Sequence, residues 1–285
     1  MKATSSYQQQ GAGLYIVPTP IGNLEDMTYR AVRILQESDI VAAEDTRQTM
    51  KLFRHFTIET KLVSYHEHNK QTSGERLLAD LEAGKQIALV SDAGMPGISD
   101  PGSDLIRQAI AADIPVIVLP GANAALTALV ASGLSTERFL YYGFLPRKKK
   151  ERREALEQLK YESGTLIFYE APHRLKEMLQ GIEEVLGDRQ VTLARELTKR
   201  YEEYIRGSVS ELRAWAAEDV RGEFVVLVEG SNEERPDAVI QDSDPLEQIR
   251  RYIEEGEKPN AALKRVAKER GLDRQQLYLA FHEAD

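Results

Sequence analysis

Two α/β domains followed by a small all-helical module are what this sequence predicts, and three observations predict it. Short apolar runs of strand length alternate with helical periodicities through most of the chain. One of those runs, Ile87 to Val90, opens directly into the glycine- and proline-rich loop SDAGMPGISDPG, Ser91 to Gly102. After an acidic, proline-containing stretch, the C-terminal residues break into three short helical patterns.

In chain order, residues 1–12 read as a frayed polar tail without the apolar core of a signal peptide. Buried strands are expected at Leu14 to Val17, Asp39 to Ala43, Leu62 to Tyr65, Ile87 to Val90 and Val116 to Leu119. Between them, helices are expected at Thr28 to Gln36, Arg47 to His55, Gly74 to Ala83, Asp104 to Ala111 and Ala124 to Ser132. Such alternation means a mostly parallel sheet with helices on both faces, here a domain over 13–143. Phe144 to Lys150, with its Leu145-Pro146 break and charge run, reads as a linker into a second domain over 144–230. There, strands at Thr165 to Tyr169, Val191 to Arg195, Tyr201 to Ile205 and Phe224 to Val228 alternate less strictly with helices at Arg153 to Lys160, Leu175 to Leu186 and Val209 to Ala217, which predicts a mixed sheet. Residues 231–245 read as a tether. The module 246–285 follows, with helices at Leu246 to Glu254, Asn260 to Arg270 and Arg274 to His282 and Asp273 as an N-cap. Helix, glycine-containing turn, helix is the outline of a helix-turn-helix, and also of a helical cap that only packs on a partner.

A chain of 285 residues with 42% hydrophobic content buries a large core and divides into two or three domains. It has no cysteine, which excludes disulfides and thiolate metal sites and points to the cytoplasm. No apolar run approaches the roughly 20 residues needed to span a bilayer, so a soluble protein is expected. The net charge of −9 argues against a general nucleic-acid coat. Charge acts locally, however, and RKKKERR, Arg147 to Arg153, is nearly all basic. It fits either a solvated helix start or a patch for RNA phosphates at Lys148, Lys149 and Lys150.

The loop from Ser91 to Gly102 carries the strongest chemical signal. Gly94, Gly97 and Gly102 allow close approach of backbone to a ligand, and Asp92 and Asp100 put a carboxylate at either end. Asp100-Pro101 also reads as the N-cap and first residue of the next helix. Other chemistries lack their residues: there is no G-x-x-x-x-G-K-[ST] segment and no G-x-S-x-G elbow. His66 and His68 in YHEHN sit on a strand end without an evident third ligand, so no metal is expected and a substrate-facing loop is preferred.

LYIVPTPIGNLEDMTYRAVRIL, AAEDTR, YHEHN, SDAGMPGISDPG, LPGANAALTALVASGL, FYEAPHRL, LARELTK and GEFVVLVEG, in this order, resemble the tetrapyrrole (corrin/porphyrin) methylase superfamily. PTPIGNLEDMT, EDTR, HEHN and FLPRKKKERR are similar to its branch of small-subunit ribosomal RNA 2′-O-ribose methyltransferases. The resemblance covers Gly13 to Gly230. It implies two α/β domains of the tetrapyrrole methylase type with S-adenosylmethionine in the cleft between them, in a homodimer. By motif position it places Ile21, Asp92, Met95, Ala124, Ala125, Tyr169, Ala194 and Phe224 against the cofactor, with the backbone of Ala93 and Gly94 in the glycine loop beside them. Met95 and Ala122-Asn123 depart from the residues many relatives carry there. The implied substrate is a cytidine ribose in the decoding region of 16S ribosomal RNA, as naked RNA or in an assembled small subunit.

Methyl transfer to a ribose hydroxyl needs alignment of oxygen, methyl and sulfur, and it gains from a proton acceptor. Strand-end carboxylates are the candidates: Glu44 and Asp45 in AAEDTR, Asp100, and Glu170 beside His173 and Arg174. Each also has a structural reading, as an N-cap, ion-pair partner or turn anchor. Arg47, His66, His68, Asn69, His173, Arg174, Arg195 and Lys199 fall at the same strand ends and offer donors to RNA. Arg195-Glu196 alternatively reads as an internal ion pair. Two other functions fit the same fold: methylation of a tetrapyrrole or other small molecule, and a nucleic-acid-binding regulator with a ligand-sensing core.

Overall fold

The computed structural model describes residues 12–218, 220–233 and 244–283. Most of the expected tail (1–11) and of the expected tether (234–243) lie outside these residues. The chain divides into two compact units: residues up to 160 with 164–229, and residues 161–163 with 230 onward. Both sheets lie in the first unit.

Its first sheet is all parallel, in the order β3-β2-β4-β1-β5, from β1 (Gly13–Ile16), β2 (Ile40–Ala43), β3 (Leu62–Ser64), β4 (Gln86–Val90) and β5 (Val116–Val118). The central strands are continuous apolar runs because both faces are covered, as parallel sheets require. Tyr15, Val41, Ala88 and Val90 pack with Leu35 and Phe53 from α1 (Tyr29–Glu37) and α2 (Thr46–Phe56). Leu14, Ile16, Ile87 and Leu89 pack with Leu77 and Leu105 from α3 (Lys70–Glu82) and α4 (Ser103–Ala111) on the other side.

The second sheet is mixed, as expected, in the order β6-β7-β10-β8-β9. Its strands are β6 (Phe139–Phe144), β7 (Thr165–Glu170), β8 (Gln190–Arg195), β9 (Glu203–Ser208) and β10 (Phe224–Val228). Only β6 and β7 run parallel; the other pairs are antiparallel. One face packs Leu166, Phe168, Leu193 and Val226 against α6 (Lys149–Leu159), α7 (Pro172–Leu186) and α8 (Val209–Trp215). The other face buries Ile167, Ala194, Val225 and Leu227 against Ala125, Ala128 and Leu129 of α5 (Ala124–Ser132). Helix α5 follows a strand of the first sheet yet covers the second, so it pins the two sheets together.

Three sequence expectations change. Phe139–Phe144 is an edge strand, and the charge run expected to be a linker is the start of α6. The strand expected at Tyr201 begins at Glu203, because the chain before it turns through Glu196 and Thr198 at positive φ. The N-cap of α4 is Gly102, not Asp100. At φ +140° Gly102 adopts a backbone that a side chain disfavours, and a Cβ there would meet Leu89 Cδ2 at 2.9 Å. The glycine thus keeps the loop open for two residues beyond the Asp-Pro signal.

The second unit holds α9 (Pro245–Glu254), α10 (Pro259–Arg270) and α11 (Arg274–Glu283), around a core of Ile249, Tyr252, Leu263, Val266, Leu277 and Phe281. Asp273 Oδ1 accepts from the backbone of Gln275 and Gln276, the expected cap. Among the described residues, no helix is long and apolar enough to cross a membrane.

Candidate active site

The C-terminal ends of the first sheet's strands place their loops on one edge, where ligands bind in open α/β sheets. Beyond β4, Gly94 exchanges two backbone hydrogen bonds of 2.9 Å with Thr19, which follows β1. The Thr19 hydroxyl adds a bond of 3.1 Å to the Ser91 carbonyl. After β5, the Asn123 side chain accepts from Leu126 N at 3.0 Å and caps α5. The first three ties join the glycine loop to the chain after β1 and the last fixes the start of α5; Tyr169, Ala194 and Phe224 from the second sheet complete the wall. They enclose a cavity of about 390 Å³, within the size range of small-ligand sites.

The cavity is lined by eight of the ten residues expected to meet a cofactor: Ile21, Ala93, Gly94, Met95, Ala124, Tyr169, Ala194 and Phe224. The other two lie outside its wall. Ala125 is buried and donates its N–H to the Tyr169 hydroxyl at 3.2 Å. Asp92 is exposed on the adjoining loop, where its Oδ1 accepts from Asp45 N at 2.9 Å. Among the lining residues the charged side chains are Asp100, Glu170 and Glu223, all carboxylates. With Arg174 committed to Glu170 and Lys199 to Glu223, the lining offers a phosphate no cation of its own. S-adenosylmethionine, a sulfonium cation without phosphate, fits this donor set, and Phe144, Tyr169 and Phe224 offer aromatic surface for a nucleoside.

The candidate catalytic groups, four carboxylates and His173, separate by environment; burial raises Glu170, although its Oε1 accepts from Ala171 N at 2.9 Å. Burial, reinforced by the charges of Glu44 and Asp92, pushes the Asp100 carboxyl up to about 6, although the Ser91 hydroxyl opposes this by hydrogen bonding. Glu44, at the end of β2, is raised as well, by burial first and then by Asp92. Asp45 goes the other way. It caps α2 and receives both the backbone N–H of Arg47 and two guanidinium bonds of 2.7 and 3.0 Å, which hold it at about 2. His173 is exposed in the first turn of α7.

The expected RNA-binding side chains are scattered in their commitments. Arg47 is 88% exposed around its pair with Asp45. His66 and His68 stack edge to face at 6.0 Å, and Asn69 spans the turn through His66 N at 2.8 Å and Ser64 O at 3.2 Å. Arg174 is turned inward, with Nη2 donating to Leu145 O at 2.7 Å and Nε 3.4 Å from the buried Glu170. Arg195 pairs with Glu203 at 2.6 Å rather than with Glu196, and it donates to Arg221 O. Lys199 bridges Glu196 and Glu223 at 3.1 and 2.7 Å. Lys148, Lys149 and Lys150 are exposed at the start of α6, with Lys148 against Glu151 and Lys150 against Glu154.

Sequence reasoning passed over Phe144, Asn123, Ser99 and Glu223 as cavity residues. Phe144 was hidden by the linker expectation. A strand signal was present in the run Phe139 to Phe144, rich in aromatic residues.

A model of the family described as Tetrapyrrole (Corrin/Porphyrin) Methylases matches residues 13–213. The protein named Ribosomal RNA small subunit methyltransferase I from Halalkalibacterium halodurans is 54% identical over 288 residues, covering 99% of this chain and 100% of that protein. Its namesake from Bacillus subtilis is 54% identical over 273 residues, covering 94% of each. Among solved structures, uroporphyrin-III C-methyl transferase from Thermus thermophilus, complexed with S-adenyl homocysteine, aligns at TM-score 0.53 and 18% identity, covering 75% of this chain and 96% of that one.

Proposed function

The chain belongs to the tetrapyrrole (corrin/porphyrin) methylase family, and from that premise we propose that it methylates the ribose 2′-hydroxyl of a cytidine in the decoding region of small-subunit ribosomal RNA. The observation that carries the chemistry is the cavity whose charged lining is carboxylate alone. The cofactor is S-adenosylmethionine, which supplies when bound a methyl group already activated on a sulfonium. The names of the full-length relatives support the RNA substrate.

In this reading, Ile21, Met95, Ala124, Tyr169, Ala194 and Phe224 hold the cofactor, and the glycine loop orients it through its backbone. The Asp100 carboxylate accepts the proton of the ribose hydroxyl. A base titrating at about 6 is largely ionised at neutral pH and still holds a proton better than an ordinary aspartate. Asp45, capping α2 and paired with Arg47, keeps the turn after β2 in place and anchors Arg47 for the RNA. Lys148, Lys149, Lys150 and Arg47 meet phosphates. The protein acts in the cytoplasm as a homodimer, and exposed Leu126 and Val130 on the outer face of α5 support the pairing of two copies.

Incubation with labelled S-adenosylmethionine and, in separate arms, assembled small subunits, free ribosomal RNA or a tetrapyrrole precursor tests this reading. Label in the 2′-O-methylcytidine of RNA is the expected result. Label in the tetrapyrrole alone makes the chain a small-molecule methylase. Cofactor binding with no label in any arm makes the core a sensor.

A further inference from the structure

We propose that the hydroxyls of Ser99 and Tyr141 form a latch that holds the tip of the glycine loop on the second sheet and so positions Asp100 as proton acceptor. The proposal rests on the reading of Asp100 given above, and Ser99 and Tyr141 act through it as positioning residues.

Ser99 has φ +61°, the left-handed region, where a non-glycine residue other than Asn or Asp is uncommon without local support. A side-chain bond supplies that support: Ser99 Oγ lies 2.7 Å from the Tyr141 hydroxyl. Tyr141 stands in β6 where the register with β7 shifts between Tyr141 and Gly143. Bulges of this kind re-aim a side chain. Gly143 is part of the device. It has φ +85°, and a Cβ there would sit 2.9 Å from Ser99 Oγ and 3.7 Å from the Tyr141 hydroxyl, in the space where the two groups meet.

The latch is braced from behind. The Tyr141 ring packs edge to face on Tyr169 at 5.2 Å, and the Tyr169 hydroxyl accepts from Ala125 N at the start of α5. The loop after β4, the edge strand β6, strand β7 and helix α5 therefore converge on the residue beside Asp100. The groups that face Asp100 are Glu44 from the end of β2, Asp92 and Ser91 from its own loop, and Tyr141 and Tyr169 from the second sheet. Nothing covalent fixes the loop tip, so releasing one hydroxyl lets it move away from the sheet. Water then reaches Asp100, and its carboxyl leaves the place where a ribose hydroxyl would meet it.

The test uses the full chain carrying Tyr141→Phe, Ser99→Ala, or both. The first readout is the titration of Asp100 followed by carbon NMR without RNA. Wild type is expected near 6 and each variant nearer the ordinary value of about 3.9. Calorimetry with S-adenosylmethionine, whose cavity Ser99 lines, should show affinity weakened by no more than about tenfold, well short of the loss in methyl transfer. Single-turnover methylation should fall by about 10²-fold, the loss expected for a misplacement of about 1 Å, with its acid limb displaced in the same direction as the titration. The double variant should lose no more than one single variant, because both remove the same bond.

An unmoved Asp100 titration in folded variants overturns the latch, and so do losses that multiply in the double variant. If wild type labels no RNA, the function reading fails, while the titration and calorimetry still decide the latch. Should Tyr141→Phe fail to fold, Ser99→Ala carries the same decision.

Discussion

Replacing Asp100 by asparagine removes a charge that the folded chain holds in an unfavourable place. A carboxyl raised from 3.8 to about 6 penalises its ionised form by about 3 kcal/mol at the limit. Partial solvent access screens that figure, leaving about 1–2 kcal/mol. The folded-state value lies above the unfolded one, so the favourable contribution of the protonated acid is complete below about pH 4 and is lost as pH rises through about 6. At neutral pH Asp100→Asn, nearly isosteric and uncharged, should therefore be the more stable protein. For a unit of this size, about 1–2 kcal/mol corresponds to a rise in Tm of about 2–8 °C. Calorimetric melts at neutral pH and near pH 4 measure it, with the gain present in the first and absent in the second. The same variant should lose about 10²-fold or more in methyl transfer while binding S-adenosylmethionine. A melting temperature equal to or below wild type at neutral pH would falsify the assignment of Asp100 as a half-buried, raised acid. Unchanged turnover would remove it from the chemistry.

Arg174→Ala should destabilise the fold by about 3 kcal/mol, because it removes the cation paired with buried Glu170 and leaves the more remote Arg152; thermal melts check this, and a stable variant with weakened RNA binding would return Arg174 to the RNA surface. Glu44→Gln removes one of the negative charges that raise Asp100, so the acid limb of the pH–rate profile should move to lower pH. Asp45→Asn, which keeps a capping side chain, should leave that limb in place. Charge reversal at Lys148, Lys149 and Lys150 should flatten the dependence of log affinity for ribosomal RNA on log salt, by about 0.7 to 0.9 for each phosphate no longer neutralised. An unaltered slope would make the basic run a solvated helix start.

The strands of the first sheet were legible as apolar runs because parallel strands buried on both faces carry no polar alternation to blur them. Helices α9 to α11 were legible from their periodicity and from the glycine and proline breaks between them. The cofactor edge was legible too, since a glycine loop directly after a buried strand allows little else. Edge strand β6 was not, because half-exposed Phe139, Tyr142 and Phe144 alternate with nothing and lead into a charge run. Nor was the inward turn of Arg174: an arginine in the first turn of a helix reads the same whether its partner is RNA or a buried glutamate.

By itself the sequence determined the order of elements apart from edge strand β6, the glycine loop and its carboxylates, and the family to which they point. These are properties of neighbours along the chain, carried by backbone freedom and hydrophobic period. The tertiary structure decided which carboxylate is raised and which is held down. A carboxyl's proton affinity depends on burial and on charges brought close from elsewhere: Asp45 and Arg47 pair locally, whereas Asp100 feels Glu44 from another strand, 56 residues away in sequence. It also decided that Ser99 and Tyr141, 42 residues apart, meet across two sheets. The packing of α5 on the second sheet brings those two surfaces together.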